Sequence, residues 1–151
     1  MSLQIVAAVI ERPDRRILIG QRHRDDSSPL KWEFPGGTVE PGESLEQALA
    51  RELREELDVT LLRAVFISQV EHRYSDHRKP LCITFFAASI IESELRPQPF
   101  ERIAWVLPRE LANYDFLSAN TRLVAELATG RIKPGELLAS STQEDSRPEG
   151  H

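Results

Sequence analysis

The stretch from Gly36 to Val59, GGTVEPGESLEQALARELREELDV, constrains the fold of this chain more than any other. A glycine pair opens it, Pro41-Gly42 turns it, and an amphipathic helix follows. Ser44 with Gln47 three residues on is a capping-box signature for the start of that helix. Leu45, Ala48, Leu49, Leu53 and Leu57 recur at helical spacing and build an apolar stripe. Glu52, Glu55 and Glu56 stand at i, i+3 and i+4, which puts three carboxylates on one face. Like charges so placed weaken a helix by about 0.2–0.5 kcal/mol a pair. Two readings account for them: a solvated face with Arg51 as an i,i+4 partner of Glu55, or a site for a hard divalent cation. Mg²⁺ takes a near-octahedral set of oxygens, usually a few carboxylates completed by water and substrate phosphate. The ordered context of glycine pair, capped helix and fixed acid spacing favours the cation.

The same stretch resembles the signature of the Nudix hydrolases: a glycine, a glutamate, then Arg-Glu-apolar-any-Glu-Glu and a final Gly-apolar pair. Here those positions are Gly37, Glu43, Arg51, Glu52, Leu53, Glu55, Glu56, Asp58 and Val59. Only Asp58 departs, standing where the family has glycine. A residue there follows the helix end and favours a left-handed conformation, which aspartate tolerates better than most.

The resemblance implies an α/β fold, the Nudix α/β/α sandwich with a mixed sheet between helices, over nearly the whole chain up to about Leu138. It implies Mg²⁺ as cofactor, with Mn²⁺ as a substitute, held by Glu52, Glu55, Glu56 and the backbone carbonyl of Gly36. Glu52 is also the candidate to orient or deprotonate the attacking water. Arg51 holds the carboxylates in place through its rigid guanidinium fork. Glu43 is either a loop anchor paired with Arg51 or an outer ligand. Many members draw a further glutamate from a loop before the tryptophan-bearing strand. The corresponding position here is Pro99, with Glu101 nearby, so the general base is Glu52 or Glu101.

The flanking segments LQIVAAVIE, GQR (20–22), WEFPGG and FLSAN (116–120) resemble the MutT-like nucleoside triphosphate pyrophosphohydrolases. The implied substrate is a nucleoside triphosphate, cut by water at the β-phosphorus to give monophosphate and pyrophosphate. In that branch an asparagine at the head of the last helix reads the base, and Asn120 stands there. Its amide can both donate and accept, which suits the O6 and protonated N7 of 8-oxoguanine. The competing roles are simple helix capping for Asn120, surface exposure for Arg22 and core packing for Phe34. In their functional roles Arg22, Phe34, Gly37 and Asn120 bind substrate. Related cytidine triphosphate enzymes tend toward aspartate at this place, which leaves CTP or 5-methyl-dCTP as the second substrate reading. A nucleotide-sensing module without turnover is the reading from another class, and the intact Glu52, Glu55 and Glu56 oppose it.

The rest of the chain fits one domain. Its 151 residues carry a net charge of −5, from 19 Lys and Arg against 24 Asp and Glu. That balance excludes non-specific binding to long nucleic acid, which needs clustered positive charge. The single Cys82, in the apolar run LCITFFAASII, rules out an internal disulfide and fits a reducing cytoplasm. No apolar run is long enough to span a membrane and no signal peptide is evident. Either a monomer or a homodimer is compatible. Gln4–Ile10 and Arg16–Gln21 read as a hairpin around Pro13-Asp14. Leu61–Tyr74 and Leu81–Ile91 read as a second hairpin turning at residues 77–80, and Ile103–Leu107 as a further strand. A short helix follows Pro108 and a longer one covers Ser118–Thr129, stopped by Gly130. His23, His72 and His77 share no zinc-ligand spacing and read as surface residues. Trp32 and Trp105 read as core or pocket wall. Residues 1–138 form the domain; 139–151 read as a flexible tail ending in a purification-tag remnant, Glu149–His151, and Met1–Leu3 as vector-derived.

Overall fold

The structure, a computed structural model, describes residues 2–73, 79–96 and 99–145. Among these residues seven strands and three α-helices follow in chain order: β1 (Leu3–Ile10), β2 (Ile17–Arg22), β3 (Trp32–Glu33), β4 (Gly36–Thr38), α1 (Leu45–Leu57), β5 (Leu61–His72), β6 (Leu81–Ile90), β7 (Phe100–Val106), α2 (Thr121–Ala128) and α3 (Pro134–Asp145). Short 3-10 turns at Pro108–Asn113 and Ser118–Asn120 lead into α2. The strands form a mixed four-stranded sheet, β4-β1-β6-β5, and a three-stranded antiparallel sheet, β3-β2-β7.

The expected hairpin of the first two strands exists only at its turn. Arg12 N–H donates to the Arg16 carbonyl at 2.9 Å, and Glu11 bridges Ile17. Beyond that the strands separate: β1 pairs with β4 and, in parallel, with β6, while β2 pairs with β3 and β7. Burial explains the divergence. Val6, Ala8 and Ile10 enter one core with Leu49, Leu53 and Leu57 of α1, whereas Ala7 and Val9 enter a second with Leu123, Val124 and Leu127 of α2. A strand covered on both faces reads as a continuous apolar run, and an interior strand needs a partner on each edge. The α/β sandwich with helices on both faces is therefore present, with the sheet divided in two.

The second hairpin, β5 with β6, is antiparallel as expected. Part of its turn, including His77, lies outside the described residues. The helix α3 runs from Pro134 to Asp145, across the expected boundary after Leu138, and Arg63 Nη1 donates to the Leu138 carbonyl at 3.0 Å. The tag reading at Glu149–His151 falls outside the described residues. No helix among those described is long and apolar enough to cross a membrane.

Candidate active site

The helix α1 is set by its ends. Gln47 N–H donates to Ser44 Oγ at 3.1 Å and Ser44 N–H to Gln47 Oε1 at 2.9 Å, the reciprocal capping box. At the other end Asp58 takes φ 57°, and its N–H caps the Arg54 carbonyl at 3.0 Å. With Ala48, Leu49, Leu53 and Leu57 buried, the adjoining flank carries Arg51, Glu52, Glu55 and Glu56, and Glu52 and Glu56, three residues after Leu49 and Leu53, lie nearest the core.

Arg51 gathers this flank and the preceding loop. Its Nε and Nη2 donate to the two oxygens of Glu43 at 2.7 and 2.9 Å. Its Nη1 donates to Glu52 at 2.9 Å and Glu55 at 3.0 Å, and Nη2 also reaches the Thr38 carbonyl at 2.9 Å. Of the two roles open to Glu43, this geometry is that of an anchor. The Arg51 fork, aided by the backbone N–H of Glu40, holds its carboxyl down at about 2.

Glu56 lies deeper. Burial, then the charges of Glu33, Glu52 and Glu55, push it up to about 8, against the pull of the Gly36 N–H, which donates to Oε1 at 2.9 Å. Burial also raises Glu52, opposed by Arg51. Close approach requires glycine at Gly36, where the neighbour is backbone, and at Gly37 lets the Glu52 carboxylate lie where a Cβ would displace it. A Cβ on Gly36 would strike the Val6 carbonyl, and one on Gly37 would strike the Glu52 carboxylate.

A cavity of about 330 Å³ opens beside these acids. Arg22, Glu33, Phe34, Gly36, Gly37, Glu56 and Asn120 all line it, so it brings together the substrate-binding candidates and the deepest carboxylate of the cluster. Asn120 is 5% exposed and makes no capping bond to α2; its Oδ1 accepts from the Phe34 N–H at 3.4 Å instead. Phe34 packs its ring edge-on to Phe85 and against Phe116, so it serves the core and the cavity wall together. Arg22 is no free surface residue. Nε donates to the Ser27 carbonyl at 2.8 Å and Nη1 to Glu33 at 3.3 Å.

Glu33 is the residue that sequence reasoning missed. Burial raises its carboxyl, Arg22 opposes the shift, and its charge is the second-largest cause of the shift at Glu56. The available signal was an acid between Trp32 and Phe34, directly before the glycine pair. Glu101 stands apart from the cavity-lining residues: it pairs with Arg24 at 3.3 Å and His23 at 3.4 Å, and both lower its carboxyl. Among the described residues, no three acid, histidine or cysteine side chains already form a metal cage. The donor chemistry nevertheless fits a hard divalent cation. Glu33, Glu52, Glu55 and Glu56 share one field that burdens Glu56 with excess negative charge, which a cation would offset.

This fold and acid-lined cavity suit the hydrolysis of a phosphoanhydride, and the comparisons with known proteins give the same class. The NUDIX domain family model matches residues 1–127, so the chain belongs to the Nudix family. It is 31% identical over 135 residues to a CTP pyrophosphohydrolase of Escherichia coli, covering 89% of this chain and 98% of that protein. It is equally 31% identical over 126 residues to an 8-oxo-dGTP diphosphatase of E. coli, covering 83% and 96%. A solved structure of MutT, from work on Aliivibrio salmonicida and Vibrio cholerae, superposes with a TM-score of 0.73 at 30% identity, over 86% of this chain and 99% of that one. The chain is a Nudix hydrolase of the MutT-like branch, a group that acts on nucleotides and generally uses divalent metal ions.

Proposed function

We propose that this enzyme hydrolyses a nucleoside triphosphate to monophosphate and pyrophosphate with Mg²⁺, Mn²⁺ serving as a substitute, and that it prefers an oxidised purine such as 8-oxo-dGTP. One observation carries the reading: Asn120 and Phe34 line the same cavity as Glu56, Gly36 and Gly37. A base edge and a polyphosphate can be held there at once.

Glu52, Glu55, Glu56 and the Gly36 carbonyl would hold the cation, which supplies charge neutralisation on the phosphates and acidifies a bound water. Arg51 positions the carboxylates while Glu43 anchors it to the loop. Glu52, with its proton affinity raised by burial, takes the proton of the attacking water. The new bond forms from that water to the β-phosphorus, and the bond from β-phosphorus to the α–β bridging oxygen breaks. Glu101, tied to Arg24 and His23, is the weaker candidate for base. The Asn120 amide offers its donors to the base O6, and its Oδ1, which accepts from the Phe34 N–H at 3.4 Å, has a second lone pair for the protonated N7 that 8-oxoguanine carries and guanine lacks. The lone, buried Cys82 suits work in the cytoplasm, as monomer or homodimer.

A CTP or 5-methyl-dCTP preference is the second reading, favoured by the CTP pyrophosphohydrolase relative that the chain covers over 98% of its length. The test is kcat/KM for 8-oxo-dGTP, dGTP, CTP and 5-methyl-dCTP with Mg²⁺. Highest activity on 8-oxo-dGTP is expected. A cytidine ranked first overturns the purine assignment, and no pyrophosphate from any of the four overturns the reaction.

A further inference from the structure

A second cavity, of about 320 Å³, lies at the opposite end of β1. Leu3, Ile5 and Val6 line the first cavity, whereas Ile10 with Glu11, Arg12, Ser89, Glu92 and Trp105 line the second. Its most telling feature is the side chain over its aromatic wall. The Arg12 guanidinium sits 4.4 Å above the Trp105 ring. It is held there by a water-exposed pair to Asp14 at 3.2 Å, of the kind that contributes little. Meanwhile Arg12 Nε is buried and has no hydrogen-bond partner, alone among the buried side-chain polar atoms described. A buried donor left unpaired is a cost the fold carries as long as Arg12 stays in place.

Trp105 thus presents a flat π face covered by a guanidinium that is held by a cation–π contact and one exposed ion pair, with its Nε left unbonded. A flat ligand that moved Arg12 into water would free the orphaned N–H and inherit the stacking face. The surrounding groups select its chemistry. Glu92 and Glu11, one of whose oxygens accepts from the Gly135 N–H, repel an anion and keep lone pairs for N–H donors, Ser89 supplies a hydroxyl, and Ile10 and Leu95 give apolar walls. We propose that this cavity is a second ligand site for an uncharged planar heterocycle with an exocyclic amine, a nucleobase or nucleoside of the adenine type, which displaces Arg12 from Trp105.

The test is calorimetric titration of the full chain with adenosine, which has no phosphate for the first cavity to act on. Arg12→Leu removes the cover and the orphaned donor together, so it should bind adenosine about tenfold tighter, equivalent to about 1.4 kcal/mol. Ser93→Trp, at the exposed rim, should fill the cavity and abolish binding, and Asn120→Ala in the first cavity should leave it unchanged. AMP should bind more weakly than adenosine because its phosphate meets Glu11 and Glu92. Pyrophosphate release from the triphosphate substrate should persist in Arg12→Leu and Ser93→Trp, which also reports that both fold. Equal or weaker adenosine binding by Arg12→Leu overturns the proposal. So does loss of binding in Asn120→Ala, or no binding by any variant.

Discussion

Replacing Glu56 by glutamine separates what this side chain does for the reaction from what it costs the fold. The folded protein raises its carboxyl from 4.5 to about 8. Stability tied to that proton is therefore complete below about 4.5 and is lost as pH rises through 8. Each pH unit between those values is worth about 1.36 kcal/mol, which sets a ceiling of roughly 5 kcal/mol at pH 9. Glu33 and Glu52 share the burden, so we expect about 2–4 kcal/mol to appear when Glu56 alone is neutralised. Glutamine keeps an oxygen for the Gly36 N–H, so the hydrogen bond at 2.9 Å is retained while the charge is gone. The assay is thermal unfolding of both proteins in a metal chelator from pH 5 to 9. The variant should match the wild type at pH 5 and exceed its Tm by about 5–15 °C at pH 9. Mg²⁺ added at pH 8 should close the gap by stabilising the wild type, because a cation that binds only the folded state stabilises it by mass action. Pyrophosphate release should be lost in the variant. Unfolding curves that stay parallel across the whole pH range would refute the reasoning, since the cost assigned to Glu56 would then lie elsewhere.

Arg51→Lys replaces a fork with a point charge that cannot hold both Glu43 oxygens along with Glu52 and Glu55; activity should fall about 10–100-fold, with more Mg²⁺ needed for half-saturation. Gly37→Ala drives a methyl into the Glu52 carboxylate; a loss of kcat of similar size, about 10–100-fold, is expected with an unchanged circular dichroism spectrum. Asp58→Gly relieves a left-handed residue at φ 57° and should raise the urea midpoint by an equivalent of about 0.5–1 kcal/mol without altering kcat.

Features set by near neighbours in the chain were legible in the sequence. The capping box, the apolar stripe of α1, the flank of acids and the left-handed Asp58 all depend on residues within one or two turns. What escaped depends on partners far along the chain. The turn between β1 and β2 is real, yet β1 takes β4 and β6 as neighbours because both of its faces are buried. Glu33 gains its role from Arg22 and Glu56, eleven positions before it and twenty-three after, and no local pattern announces that meeting. The strands β3 and β4 have two and three residues, too few to show an alternation. Beyond Leu138 the residues of α3 are polar or small, so its continuation to Asp145 leaves no periodic signal.

Residues 32–37 bind the two halves of the site into one part. Trp32 exchanges backbone bonds with Asp115 and Leu117, Phe34 N–H meets Asn120, Gly36 N–H meets Glu56, and Gly37 lies under Glu52. The nucleoside wall and the acid cluster are thus attached to the same short peptide, and Asn120 is bonded to it directly. Two substitutions distinguish recognition from this attachment. Asn120→Asp still accepts from the Phe34 N–H but offers the base no donor, so it should raise KM for the preferred purine and leave kcat nearly intact. Asn120→Ala also strips the Phe34 N–H of its side-chain acceptor, a loss of about 1–3 kcal/mol. If that N–H helps to hold the peptide, kcat should fall for every nucleotide in the panel, including those the enzyme does not prefer. Steady-state kinetics on both variants decide it: equal kcat values would show that Asn120 acts on the base alone and that Trp32 and its two backbone bonds suffice to hold the strand.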